Sequence, residues 1–268
     1  MTAEVKPARI LIIAGSDSSG GAGIQADIKT AAAFGAYAMT AITAVTVQNT
    51  KGVTGIHSVP QNIVRDQILA CLTDIGADAI KTGMLANASI VKIVAATLAK
   101  HARGIPLVVD PVMISTSGAV LLDDDASDML VKHLLPLATL VTPNIPEMRR
   151  LTQVKGTRRE NVRFAAGKLR AMGAGAALIK GGHMTTSTID DVLVWKGGEE
   201  IIGYPRIKTR HTHGTGCTLA TAIACGLGQG LSLPLAVARA REYVQNAIDT
   251  APGFGHGRGP LNHAVKPQ

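Results

Sequence analysis

The sequence predicts an α/β fold, a doubly wound and mostly parallel sheet with helices on both faces and one antiparallel hairpin late in the chain. Three observations carry this. Short apolar runs alternate with longer stretches of helical periodicity from Arg9 to Ile248. Ala, Gly, Val, Ile and Leu abound while only 3% of the 268 residues are aromatic, which suits helices packed closely on a buried parallel sheet. Glycines and polar residues follow several of the apolar runs, at the carboxyl ends of strands where such sheets bind ligands.

The elements follow in order. Arg9 to Ile13 reads as a strand, followed by the loop Gly15-Ser-Asp-Ser-Ser-Gly-Gly-Ala-Gly23 and a helix through Phe34. Ala38 to Val47 is β-rich. Pro60 opens a helix to about Thr73, with Ile63, Ile68, Leu69 and Leu72 on its apolar side. Ala79 to Thr82 is a buried strand, and Asn87 caps a helix to about His101. Leu107 to Val109 is a strand ending at Asp110-Pro111. Asp124 to Leu134 is helical, Leu140 to Thr142 a strand, and Pro146 starts a further helix. Arg159 to Met172 is helical and Ala176 to Lys180 a strand. Ile189 to Trp195 and Glu200 to Arg206 form the hairpin about Gly197-Gly198. Two helices close the chain, one entered through His211 to Cys217 and one from Ser232 to about Ile248. With no linker, repeat or low-complexity segment, residues 1–268 read as a single domain.

Composition narrows the function. The chain is 46% hydrophobic, yet no apolar run approaches the roughly 20 residues of a membrane helix. Met1 to Arg9 holds no signal-peptide core. The three cysteines, Cys71, Cys217 and Cys225, form no C-x-x-C pair, so a reducing cytoplasm is expected. The net charge of +8 is spread over short pairs such as Arg149-Arg150 and Arg158-Arg159. Without interleaved aromatics, this favours a phosphate-bearing small molecule over nucleic acid.

The motif with the clearest chemistry is His211-Thr-His-Gly-Thr-Gly-Cys217. Gly214 and Gly216 let backbone approach a ligand, and the first-turn N–H groups and helix dipole favour an anion there. Thr215 adds a hydroxyl. Cys217 is either a titratable group facing the anion or a small buried apolar residue. His211-x-His213 lacks a third partner for a metal. The first glycine loop lacks the Lys and Ser/Thr of a P-loop, and no Asp or Glu lies between Asp27 and Asp66 to hold a dinucleotide ribose. What remains there is close backbone plus two carboxylates, Asp17 and Asp27. Asp110 follows a strand and either holds Mg²⁺ or caps a turn. Asn144 and Glu147 have N-cap spacing and equally suit a water-mediated Mg²⁺ site. Lys180 ends a buried strand before Gly181-Gly182.

Taken together, Ile13 to Asp27, Val47-Gln-Asn-Thr50, Lys81-Thr-Gly-Met84, Asp110-Pro-Val-Met113, Thr142 to Glu147, Lys180 to His183, His211 to Cys217 and Gly255 to Pro260 resemble the ribokinase-type small-molecule kinases. Within them the pattern is similar to the hydroxymethylpyrimidine/phosphomethylpyrimidine kinases of thiamine biosynthesis, over nearly the whole chain. Thr82 departs from the commoner Ile. The resemblance implies a ribokinase-like fold, ATP as cosubstrate, Mg²⁺, and phosphorylation first of a pyrimidine hydroxymethyl group and then of the monophosphate. It implies that Gln48 bonds the aminopyrimidine, with Gly15, Asp27, Met84 and Val112 around the ring. Asp110 and Glu147 would serve Mg²⁺, and Lys180, Thr212 and Asn144 the nucleotide. Gly214, Thr215, Gly216 and Cys217 would form the catalytic centre, with Cys217 needed more for the first step than the second. A homodimer is a further expectation of the resemblance. The alternative within the same fold is a pyridoxal or pyridoxine kinase. Glycine and small hydroxyls from Ser115 to Gly118 suit a closing loop.

Overall fold

The structure, a computed structural model, describes residues 6–113, 118, 124–183 and 187–267. Nine strands form one sheet in the order β3-β2-β1-β4-β5-β6-β7-β8-β9. The strands are β1 (Arg9–Asp17), β2 (Tyr37–Asn49), β3 (Gly52–Ser58), β4 (Ala79–Thr82), β5 (Leu107–Val109), β6 (Leu140–Val141), β7 (Ala177–Ile179), β8 (Thr188–Trp195) and β9 (Gly198–Pro205). From β2 to β7 every neighbouring pair is parallel. β8 and β9 are antiparallel, the late hairpin read from the sequence. A second antiparallel hairpin, β2–β3, lies at the opposite edge, and the sequence reading had no strand at Gly52–Ser58.

Side-chain alternation along β1 builds two cores. Leu11 and Ile13 face one layer, with Val64 and Ile68 of α2 (Gln61–Asp74) and Val91 and Val94 of α3 (Ala88–His101). That layer also holds α4 (Asp124–Met129), α5 (Ile145–Thr152) and α6 (Arg159–Ala171). Ile10, Ile12 and Ala14 face the other layer, formed by α1 (Gly23–Ala33), α7 (Thr215–Gly228) and α8 (Leu233–Asp249). In α2 the expected apolar side is rotated. Val64 and Ile68, one turn apart, are buried, while Ile63 faces solvent.

Two features aim the strand ends. The β1–β2 register shifts between Ala14 and Ser16, a bulge at Gly15 after which pairing resumes through Asp17. β4, β5 and β7 each stop where a polar side chain emerges, at Thr82, Asp110 and Lys180. Among the described residues no helix is long and apolar enough to cross a membrane. Ser115 to Ser117, expected in a closing loop, lie outside the described residues.

Candidate active site

The carboxyl edge of the parallel strands opens into a cleft of about 530 Å³. At its centre is the amino end of α7. Gly214 sits before it at φ +85°, and a Cβ there would run into the Gly21 carbonyl oxygen. Only glycine fits this left-handed, tightly approached position. The contact brings the two glycine loops together. The first-turn N–H groups of Gly216 and Cys217 have no carbonyl ahead of them in the helix and face the cleft.

Beside them stands a charged cluster. Lys180 Nζ lies 2.8 Å from Asp110 Oδ1, which also accepts the Thr142 hydroxyl at 3.0 Å. A Cβ on Gly216 would meet Lys180 Nζ at 3.3 Å and Asp110 Oδ2 at 3.4 Å, so both charges abut the helix end. Burial acts to lower the Lys180 pKa, but Asp110 and Glu147 outweigh it and hold it above the ordinary lysine value. Asn144 and Glu147 form a reciprocal cap on α5. Glu147 N donates to Asn144 Oδ1 at 2.9 Å, and Asn144 N to Glu147 Oε2 at 2.8 Å. Burial pushes the Glu147 carboxyl up to about 7, with Lys180 opposing the rise and Asp110 adding to it.

Beneath Cys217 is a fully buried ion pair. Lys81 Nζ lies 2.7 Å from Asp27 Oδ2, and Thr221, one turn along α7 from Cys217, donates to Asp27 Oδ1 at 2.7 Å. Neither Lys81 nor Asp27 exposes any surface. Burial pushes the Cys217 thiol up to about 11; Lys81 pulls it down, and Asp27 and Asp110 push it further up. The group is therefore a neutral thiol at neutral pH.

The other end of the cleft is lined by Gly15, Thr46, Gln48, Met84 and Val112. A Cβ on Gly15 would lie 3.1 Å from Met84 Sδ, so the bare backbone leaves room for the thioether. Gln48 Oε1 lies 3.0 Å from Thr46 Oγ1.

All but one of the expected site residues line this cleft: Gly15, Gln48, Met84, Val112, Asp110, Asn144, Glu147, Lys180, Thr212, Gly214, Thr215, Gly216 and Cys217. Asp27 is the exception. Its position on the inner face of α1, against α7, seals it under the floor, and it touches Lys81 and Thr221 instead of a ligand. Two residues that sequence reasoning did not place are Lys81, under the thiol, and His213, whose Nε2 lies 2.8 Å from Asp17 Oδ2. Asp17 also accepts from Ser19 N, Ser19 Oγ and Ala22 N, each at 2.8 Å. Burial raises its pKa, but the bonds from His213 and Ser19 outweigh that and hold it below the usual carboxylate range. Arg241, Gln245 and Asp191 also line the cleft, and Asp191 Oδ1 accepts from Gly181 N at 2.8 Å.

Among the described residues no group of three or more His, Cys, Asp or Glu stands ready for a metal. Asp110 and Glu147 do suit a magnesium ion held by one or two carboxylates, with phosphates and water filling the remaining positions.

The family described as phosphomethylpyrimidine kinase matches residues 17–262. The chain is 47% identical over 263 residues to the hydroxymethylpyrimidine/phosphomethylpyrimidine kinase of Streptomyces coelicolor, covering 98% of this chain and 96% of that one. It is 48% identical over 256 residues to the thiamine biosynthesis bifunctional protein ThiED of Geobacter sulfurreducens, covering 96% of this chain. The match spans about half, 52%, of that longer relative. The fold superposes with a TM-score of 0.88 on the crystal structure of an ADP complex of Bacillus subtilis pyridoxal kinase, at 33% identity, covering 97% of this chain and 98% of that one.

Proposed function

The chain belongs to the phosphomethylpyrimidine kinase family, and we propose that it transfers the γ-phosphoryl group of ATP to 4-amino-5-hydroxymethyl-2-methylpyrimidine and then to the resulting monophosphate, in thiamine diphosphate biosynthesis. One observation carries this reading. The amino end of α7, the Lys180–Asp110 pair and Cys217 meet in the cleft that Gln48 and Met84 also line. Phosphoryl transfer asks mainly for positioning and charge stabilisation, and that convergence supplies both.

In the first step the hydroxymethyl oxygen attacks the γ-phosphorus. The new O–P bond forms as the bond to the β-phosphate oxygen breaks, and ADP leaves. The Gly216 and Cys217 amides and Lys180 stabilise charge on the transferred oxygens. Cys217 receives the hydroxyl proton through its minor thiolate form. In the second step the nucleophile is a phosphate oxygen. Asn144 and Thr212 line the nucleotide side. Asp110 and Glu147 would hold Mg²⁺, which supplies charge neutralisation at the phosphates. Gln48, Gly15, Met84 and Val112 hold the ring. We read the enzyme as a single-domain cytoplasmic protein, in keeping with its free cysteines, and as a homodimer.

Pyridoxal or pyridoxine phosphorylation is the second reading, favoured by the close superposition on a pyridoxal kinase. Identity is higher to the pyrimidine kinase, 47% against 33%, and places it second. Purified protein is incubated with ATP, Mg²⁺ and, separately, the hydroxymethylpyrimidine, its monophosphate, pyridoxal and pyridoxine, and ADP release is followed. Release driven only by the pyridine alcohols overturns the pyrimidine assignment.

A further inference from the structure

We infer that His213 is a positioning residue for ring recognition: its Nε2–H, pinned by Asp17, sets which way the Gln48 carboxamide faces. The inference rests on the pyrimidine-kinase reading above.

The imidazole is a junction of three segments. Its Nε2 lies 2.8 Å from Asp17 Oδ2 at the end of β1 and 3.4 Å from Gln48 Nε2 near the end of β2. The ring packs on the first glycine loop so closely that a Cβ on Gly21 would lie 2.5 Å from His213 Cδ2. The His213 backbone N–H donates to Gly259 O at 3.1 Å, and His213 pairs with Pro260. His213 is 5% exposed and Asp17 2%, so neither moves without disturbing the other segments.

Hydrogen-bond accounting then decides the amide. Asp17 is a carboxylate and can only accept, so His213 Nε2 carries a proton and donates to it. A protonated Nε2 cannot accept from the Gln48 NH₂ group beside it. The Thr46 hydroxyl has one proton, and Ser16 O at 2.9 Å is its nearer acceptor. Turning the Gln48 amide by half a revolution satisfies every group. Its oxygen then shares the His213 Nε2–H, and its NH₂ donates to Thr46 Oγ1. A carboxamide meets an aminopyrimidine with its oxygen on the ring's amino group and its N–H on a ring nitrogen. The reversed amide sets donor against donor, so orienting Gln48 amounts to choosing the ring pattern.

The test is a double-mutant cycle on His213→Leu and Gln48→Ala, with kcat and KM for pyrimidine and for ATP. Loss of an oriented pairing raises the pyrimidine KM about tenfold, with kcat and the ATP KM near wild type. His213→Gln, which restores an N–H, recovers most of it. The double variant is no worse than Gln48→Ala alone, because His213 acts through Gln48. Asp17→Asn keeps the imidazole but no longer pins its proton, and gives the same split on a smaller scale, which decides the matter if His213→Leu does not fold. Additive losses, or equal losses in kcat and both KM values with no recovery in His213→Gln, overturn the inference and leave a structural pin. A wild-type enzyme that does not phosphorylate the pyrimidine at all refutes the proposed function instead.

Discussion

The sharpest prediction concerns Cys217 and the two chemical steps. Burial pushes the thiol up, Asp27 and Asp110 add to the rise, and the Lys81 ammonium and the Gly23 N–H only partly oppose it, so it titrates at about 11. At pH 7.5 such a thiol is ionised to about three parts in ten thousand. If that thiolate takes the substrate proton, the first-step rate rises about tenfold per pH unit from pH 7 toward 10. The second step differs because a phosphate monoester has a second pKa of about 6 and is dianionic above pH 7, so its rate stays flat over the same range. Cys217→Ala removes the base and lowers the first step by about 10² to 10⁴; the second step keeps its amide cradle and loses little. Single-turnover rates for alcohol and monophosphate, measured across pH in wild type and variant, check both statements. Equal losses in the two steps, together with a first step that is flat in pH, would refute the base role. Cys217 would then be a neutral thiol lining the cradle.

The remaining predictions use the buried charges. Lys81→Met leaves Asp27 unpaired in the core and costs about 3–5 kcal/mol, a fall in Tm of about 10 °C; the Lys81→Met/Asp27→Leu double variant recovers most of it in a thermal melt. Burial lowers the His263 pKa to about 4, below about 6.5 in the unfolded chain. Between those values the unfolded state binds the extra proton, so stability is whole above about pH 6.5 and falls as pH drops, by about 2 kcal/mol at pH 5. In a His263→Gln variant, melts at pH 7 and pH 5 differ less by that amount. Glu147, pushed up to about 7, must lose its proton to hold a metal, so Mg²⁺ binding measured by calorimetry with an ATP analogue weakens about tenfold from pH 8 to pH 6. Glu147→Gln abolishes that dependence.

What the sequence made legible follows from periodicity. β1 alternates Ile10, Ile12 and Ala14 with Leu11 and Ile13, and each set enters its own core, so a strand with helices on both faces could be read directly. β3 could not. Gly52–Ser58 is an edge strand with two glycines, and most of its side chains face solvent, so it carries no burial pattern to read. The α2 stripe failed for a different reason. Ile63, Val64, Ile68 and Leu69 mark two helix rows of similar apolarity, and only packing against β1 and α3 chooses Val64 over Ile63.

The site divides along the same line. Asp110, Asn144, Lys180 and the Gly214–Cys217 turn follow strands or open a helix, so their place at the sheet's carboxyl edge was evident from their position in the chain. Asp27 was not, because a residue four positions into α1 faces ligand or core according to where α7 lies, and α7 is nearly 200 residues away. His213 meets Asp17 across 196 residues, and no local spacing signals that. These two corrections bear on specificity. Asp17 is saturated by His213, Ser19 and Ala22, and Asp27 is sealed beneath Lys81, so neither carboxylate of the glycine loop is left for the ring. On the proposed function, recognition at that end falls to the neutral amide of Gln48, the Gly15 backbone and the Met84 thioether, all of which line the cleft. A neutral lining of this kind selects by donor and acceptor pattern instead of by charge, which is what separates an aminopyrimidine from a hydroxypyridine of the same size.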